Sequence, residues 1–261
     1  MQQLRIERGE YEDDVVTPVG AADASELRIW LNRFLYRGML FSMGSIAVGL
    51  YQLNRDVAWQ FAKLSARNLA LATGVEVKLF GAENLPREPA IVTPNHASHF
   101  DIAALLGWLP GQNRFAAKKE LFAEPILGMV MRTLGMVPID RESPAESIEV
   151  LNRMARLADS SLIMFPEGTR SRDGRMGPFK RGAFALAIRL GRPIVPVAIH
   201  GSAGVMPPGK YLSILPGTVV VEVLPPIPTK GLSDDARHRL AEQVRDRIAT
   251  RIAAARETAE A

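Results

Sequence analysis

The residues best able to do chemistry lie in one short run, Asn95-His96-Ala97-Ser98-His99-Phe100-Asp101. The run follows an apolar stretch, Ala90–Thr93, and a proline, and it opens an apolar segment that reads as a helix from Ile102 to Trp108. In an open α/β sheet, a residue at the carboxyl end of a strand faces the crevice where ligands bind. An unperturbed imidazole titrates at about 6.5, so a neutral His96 accepts a proton from an alcohol at neutral pH. Asp101 lies five residues on and can fold back at a strand-to-helix turn to hold the other ring nitrogen. Such a contact fixes the tautomer and stabilises the imidazolium formed as the proton moves. His96 and Asp101 would then act as a triad without its serine, the nucleophile being a hydroxyl of the substrate. Two other readings compete. The pair could be no more than a helix cap, or His96, His99 and Asp101, with His200 as a fourth donor, could ligate the metal of a hydrolase.

A second run, Phe165-Pro166-Glu167-Gly168-Thr169-Arg170, directly follows the apolar stretch Leu162–Phe165. Proline and glycine favour a tight turn at a strand end. Backbone N–H groups exposed at such a turn suit an anion or an oxyanion. Arg170 adds a planar cation able to grip a phosphate with two hydrogen bonds, and Arg172, Arg175, Lys180 and Arg181 extend the positive field. Taken alone, the run equally describes a solvated polar turn.

The elements that must hold these runs alternate. Val75–Phe80, Ala90–Thr93, Met136–Ile139, Leu162–Phe165, Pro193–Ile199 and Thr218–Leu224 read as strands. Ile102–Trp108, Ser147–Ala158 and Ala183–Leu190 read as helices, and a last helix starts near Ser233 with Leu240, Val244, Ile248 and Ile252 on one face. Strands alternating with helices predict an α/β domain. Ahead of it, Glu26–Leu53 predicts a first ordered helix, and Val57, Phe61, Leu64 and Leu71 recur at helical spacing in a second one that Gly74 ends. Together these two read as a helical hairpin over 26–73, behind a flexible acidic tail at 1–25. Between Arg37 and Arg55 a window of 17 residues carries no charge, short of the roughly 20 that a membrane span needs. Aromatic residues Trp30, Phe34, Tyr36 and Tyr51 and arginines Arg28, Arg33, Arg37 and Arg55 border it. This pattern predicts a hairpin dipping into one membrane leaflet rather than an oriented span.

Composition narrows the classes. Among 261 residues there is no cysteine, which excludes disulfides, thiolate metal sites and cysteine nucleophiles. With 32 Lys+Arg against 28 Asp+Glu the net charge is +4, too mild to argue for a nucleic-acid partner. The local concentration of arginine instead suits phosphates and an anionic membrane surface.

At this point a resemblance becomes clear. Asn95-His96-x-x-x-x-Asp101 and Phe165-Pro166-Glu167-Gly168-Thr169-Arg170 resemble the first and third motifs of the glycerolipid acyltransferase family. Gly135-Met136-Val137-Pro138-Ile139-Asp140-Arg141 and Ile194-Val195-Pro196-Val197-Ala198-Ile199 resemble the second and fourth, in the right order. Ala117-Lys118-Lys119-Glu120-Leu121 and Phe179-Lys180-Arg181-Gly182-Ala183 also look like family sequence. The likeness covers about residues 75 to 228. It implies a mixed sheet flanked by helices, with residues 74–261 as the acyltransferase domain. It implies His96 as base and Asp101 as its partner, with Lys118, Arg141 and Arg170 holding an acceptor phosphate and Glu167, Gly168 and Thr169 shaping the acceptor site. The donor would be an acyl thioester on coenzyme A or acyl carrier protein, and the acceptor a lysolipid such as lysophosphatidate or a lyso-ornithine lipid. No metal or organic cofactor is implied. The work would be done at the cytoplasmic face of the inner membrane.

Overall fold

The computed structural model describes residues 34, 38, 42, 44–46, 48–139, 160–171, 176–207 and 214–260. A seven-stranded sheet forms the middle layer. Its strands are β1 (Val75–Phe80), β2 (Ile91–Pro94), β3 (Asn113–Lys118), β4 (Val137–Ile139), β5 (Ser161–Ile163), β6 (Ile194–His200) and β7 (Gly217–Val223). They lie in the order β1-β7-β6-β2-β5-β3-β4. Every neighbouring pair is parallel except β6 with β7, so the sheet is mixed, as the family resemblance implies. The expected strands all form. β3 is an addition, since its residues Asn-Arg-Phe-Ala-Ala-Lys carry too little apolar signal to announce a strand.

Successive side chains of the central strands feed opposite layers, as the pleat requires. Val92, Ile163 and Val195 enter one core, which they share with Trp59, Leu69, Phe100, Leu105 and Phe115. Ile91, Leu162 and Ile194 enter the other, against Phe184, Leu240, Val244 and Ile248. The first layer is closed by α1 (Arg55–Thr73) and α2 (Phe100–Trp108). The second is closed by α4 (Gly182–Leu190) and by α6 (Arg237–Glu260). Between these lie α3 (Pro125–Thr133), which the sequence did not announce, and the single turn α5 (Ser202–Val205). The face expected of the last helix is the one that α6 buries.

Helix α1 begins where Asn54 Oδ1 accepts the N–H groups of Asp56 (2.8 Å) and Val57 (3.2 Å). It ends at Gly74, whose φ of 72° lets its N–H reach back to Ala70 and Leu71. Its two faces differ, and Phe61 of the expected row is partly buried. The row Val57, Leu64, Leu71 points outward, 49%, 54% and 80% exposed, while Ala58, Trp59, Ala62, Lys63, Ala66, Leu69 and Ala70 are buried. Two physical reasons account for this. Small alanines allow a close approach, and a Cβ placed on Gly107 of α2 would sit 3.4 Å from the Ala66 Cβ. The inner face also carries donors one turn apart. Trp59 Nε1, Lys63 Nζ and Arg67 Nε donate to the carbonyls of Gly111 (3.3 Å), Leu109 (2.6 Å) and Gly107 (2.8 Å) at and beyond the end of α2. Those carbonyls have no partner within their own helix, and cations are favourable at a helix carboxyl end. Burial, and secondarily the nearby Arg67, lowers the Lys63 pKa.

The described residues between 34 and 53 are helical, and Gly44 lies buried with Val130 of α3 against it. The rest of the expected first helix, the acidic tail, the expected helix Ser147–Ala158 and the side chains of Arg141, Arg172 and Arg175 lie outside the described residues. Among the described residues no helix is long and apolar enough to cross a membrane.

Candidate active site

Strand β2 delivers the first run to the carboxyl edge of the sheet. Its neighbours are β6 and β5, and each anchors one side of it. Asn95 is clipped to the end of β6, where its side-chain amide donates to Ile199 O (3.1 Å) and its Oδ1 accepts the Ile199 N–H (2.7 Å). The backbone N–H of His96 donates to Glu167 Oε1 (2.7 Å), in the loop after β5. The chain then turns into α2. Ser98 Oγ accepts the Phe100 N–H (3.1 Å) and donates to Met206 O (3.0 Å), which caps the helix and ties it to the residue after α5.

Within this frame the predicted pair forms. His96 Nδ1 lies 2.8 Å from Asp101 Oδ2. The same oxygen accepts the N–H groups of Ala97 and Ser98, each at 2.9 Å. Asp101 is fully buried and His96 is 12% exposed at its side chain. A carboxylate held by two amide donors can only accept from the ring, so Nδ1 carries the hydrogen and Nε2 keeps its lone pair. The imidazole also stacks on Phe165, with centroids 3.9 Å apart and planes at 20°. Two independent contacts therefore fix the ring: a hydrogen bond at its edge and an aromatic plane at its face.

The second run wraps the other side of the pair. Glu167 is buried and turned inward, its Oε1 on the His96 amide and its Oε2 accepting the Gly177 N–H (3.0 Å). Burial, the largest cause, raises its pKa against the lowering effect of those two amides. The loop comes back across the site, since the Ser171 N–H donates to His96 O (2.9 Å). The Gly168 N–H donates to Phe165 O (3.1 Å), so one amide that the turn was expected to offer an anion is already engaged. Thr169 and Arg170 are exposed.

His99 is half-buried beside the pair. Its pKa is lowered to about 4, by burial first, then by the positive charge of Arg170 and of His96, with Asp101 opposing. His99 therefore stays neutral near pH 7, and Arg170 lies close enough to His99 to be felt there. Lys118 ends β3, two strands from β2 in the sheet order, hence about 10 Å along the edge. It is exposed. Arg141 follows β4, one strand further, outside the described residues.

Among the described residues no group of three His, Cys, Asp or Glu side chains converges as a metal ion would need. The metal-site reading of His96, His99, Asp101 and His200 thus lacks its geometry, the Asp101 Oδ2 lone pairs being directed at the ring and two amides. Sequence reasoning did not find the clip made by Asn95, the stacking surface of Phe165 or the inward turn of Glu167. All three lie inside the two runs, but their roles need the neighbouring strand to be known.

Residues 76–200 match the family model described as Acyltransferase. Over a longer span the chain is 34% identical to a protein of Saccharomyces cerevisiae, across 84% of this chain and 78% of that one. With the His96–Asp101 pair at the carboxyl edge of such a sheet, the chain belongs to the acyltransferase family. That yeast protein is a 1-acyl-sn-glycerol-3-phosphate acyltransferase. A chloroplastic protein of Brassica napus with the same activity in its name is 39% identical over 171 residues, 63% of this chain. The chain spans about half the length of the chloroplastic relatives it matches. Among solved structures, the 1-acyl-sn-glycerophosphate (LPA) acyltransferase PlsC from Thermotoga maritima superposes with a TM-score of 0.71 at 26% identity, covering 87% of this chain and 94% of that one.

Proposed function

We propose that this chain transfers a fatty acyl group from an acyl thioester, on coenzyme A or acyl carrier protein, to the sn-2 hydroxyl of 1-acyl-glycerol-3-phosphate, giving phosphatidate. The observation that carries the reading is the His96 Nδ1 to Asp101 Oδ2 contact of 2.8 Å, which leaves Nε2 as the acceptor. The names of the relatives support the choice of acceptor.

The steps follow from the chemistry. A thioester carbonyl is already activated, so the enzyme need not supply a nucleophile, a metal or an organic cofactor. It must align hydroxyl and carbonyl and take one proton. His96 Nε2 removes the hydroxyl proton as the oxygen attacks, and the imidazolium is stabilised by Asp101. The tetrahedral intermediate collapses, a C–O ester bond replaces the C–S bond, and His96 returns its proton to the leaving thiolate. Arg170, Lys118 and Arg141 hold the acceptor phosphate. A phosphate one carbon from the reacting hydroxyl belongs one to two strands away along the edge, where β5 and β3 end.

Both substrates carry long apolar chains, and the lysolipid acceptor resides in membrane. The outward row Val57, Leu64 and Leu71, with Leu53 at 83% exposed, is an apolar surface that supports docking on a lipid surface rather than spanning it. Acyl thioesters are made in the cytoplasm, which places the reaction at the cytoplasmic face.

The test is a donor-by-acceptor panel with detergent-purified full chain. Transfer from an acyl thioester to 1-acyl-glycerol-3-phosphate is expected. Absence of transfer to every lysolipid acceptor overturns the activity, and preference for an acceptor without phosphate overturns the acceptor.

A further inference from the structure

A second cation, Lys180, lies against the turn that carries Arg170. Gly168 adopts φ +75°, and a Cβ built there would lie 3.1 Å from each of the Cδ, Cε and Nζ atoms of Lys180. The end of the lysine side chain is thus laid flat across the glycine. Its own backbone is pinned beside the turn, since the Lys180 N–H donates to Pro166 O at 2.7 Å. Glu167, the carboxylate of the same turn, is not its counter-ion, because both Glu167 oxygens are turned inward onto the amides of His96 and Gly177. Among the described residues no carboxylate forms an ion pair with Lys180, and the residue is exposed.

From this arrangement we propose that Lys180 is a binding residue for the acceptor phosphate, acting with Arg170 at the Glu167-Gly168-Thr169 turn. A lysine held next to a glycine, its charge not neutralised and facing solvent, is arranged for an anion that arrives with the substrate. The glycine serves two ends. It adopts the left-handed backbone conformation, and its missing side chain leaves the room in which the ammonium lies. Arg170 supplies a planar fork and Lys180 a point charge on a flexible stem, so a phosphate monoester with three free oxygens can be met by both. The proposal rests on the phosphate-acceptor reading given above.

The experiment compares the full-length enzyme with Lys180→Met and Lys180→Arg, each in detergent, measuring KM and kcat separately for donor and acceptor. The acceptors are 1-acyl-glycerol-3-phosphate and the phosphate-free 1-acyl-glycerol. Loss of one charge-assisted contact to phosphate should raise the acceptor KM of Lys180→Met about tenfold or more. The donor KM should stay within about twofold, and Lys180→Arg should recover most of the loss, since it keeps the charge. The ratio of kcat/KM for the two acceptors should fall in parallel. Thermal unfolding of both variants checks that they fold. An unchanged acceptor KM in folded Lys180→Met overturns the proposal, as does a rise confined to the donor. A wild-type enzyme that uses both acceptors equally well overturns the phosphate reading itself, which is a separate result.

Discussion

At the scale of single residues, the site is a histidine held from two directions. The Asp101 carboxylate fixes its edge and Phe165 its face. His96→Ala should leave a folded protein whose kcat is lower by about two to four orders of magnitude, the usual worth of a general base. Asp101→Asn should cost as much, because an amide at that position turns a donor toward Nδ1 and the wrong tautomer follows. Turnover by His96→Ala close to that of wild type would remove the mechanism. His99 yields a pH prediction. Its pKa is depressed to about 4, below the ordinary value of about 6.5. The stability it contributes is therefore complete above pH 6.5 and is lost as pH falls toward 4. Glu167 has the opposite sign, since its pKa is raised and its contribution fades as pH rises through that value. The difference in melting temperature between wild type and His99→Gln isolates the histidine. The wild-type advantage should shrink steadily from pH 6.5 to pH 4, and a constant difference would show that His99 is not desolvated.

At the scale of elements, α1 has two faces with different tasks. The inner face places Trp59, Leu69 and Ala70 in the main core and satisfies the end of α2, the helix that starts at the His96–Asp101 pair. The outer face carries Val57, Leu64 and Leu71. Removing the first 73 residues would therefore strip core and the proposed lipid-facing row together. Substituting only the outer face separates them. Leu64→Ser with Leu71→Ser should change stability little, by about 0.5 kcal/mol per site, as surface substitutions do. The same pair should move the protein from vesicle pellet to supernatant in a flotation or sedimentation assay. Unchanged partition between vesicles and solution would assign membrane contact to another part of the chain.

At the scale of the whole molecule, the parallel strands β2, β5, β3 and β4 point their carboxyl ends along one edge. The proposed roles are therefore graded along that edge: the proposed base after β2, Arg170 after β5, Lys118 at the end of β3. A phosphate one carbon from the reacting hydroxyl reaches the nearer of these first. Arg170→Ala should raise the acceptor KM more than Lys118→Ala does, and both should spare the donor KM. Steady-state kinetics with each substrate varied in turn decides this. An equal rise in donor KM would place the donor's own phosphates on these cations.

Much of the site was legible in the chain before folding. His96 and Asp101 are close in sequence, so the turn that joins them is local, and a strand-turn-helix pattern suffices to predict their contact. The strands and the apolar face of α6 were legible for the same reason, since periodicity is a local signal. Three things were decided only by tertiary structure. The apolar row Val57, Leu64 and Leu71 of α1 is legible by spacing, but its outward orientation is not. Alanines can approach α2 closely, and the donors of Trp59, Lys63 and Arg67 answer carbonyls 40 to 52 residues away in the chain. Glu167 reads as a surface charge beside an arginine, yet it turns inward because two amides from different loops need an acceptor. The neighbours of β2 came from pairings that span about 70 to 100 residues, and no local pattern encodes which strand lies beside which. Sequence by itself determined the His96–Asp101 pair, because its geometry is built from one turn of chain. The fold determined what surrounds that pair, because burial and hydrogen-bond satisfaction are settled between segments distant in sequence.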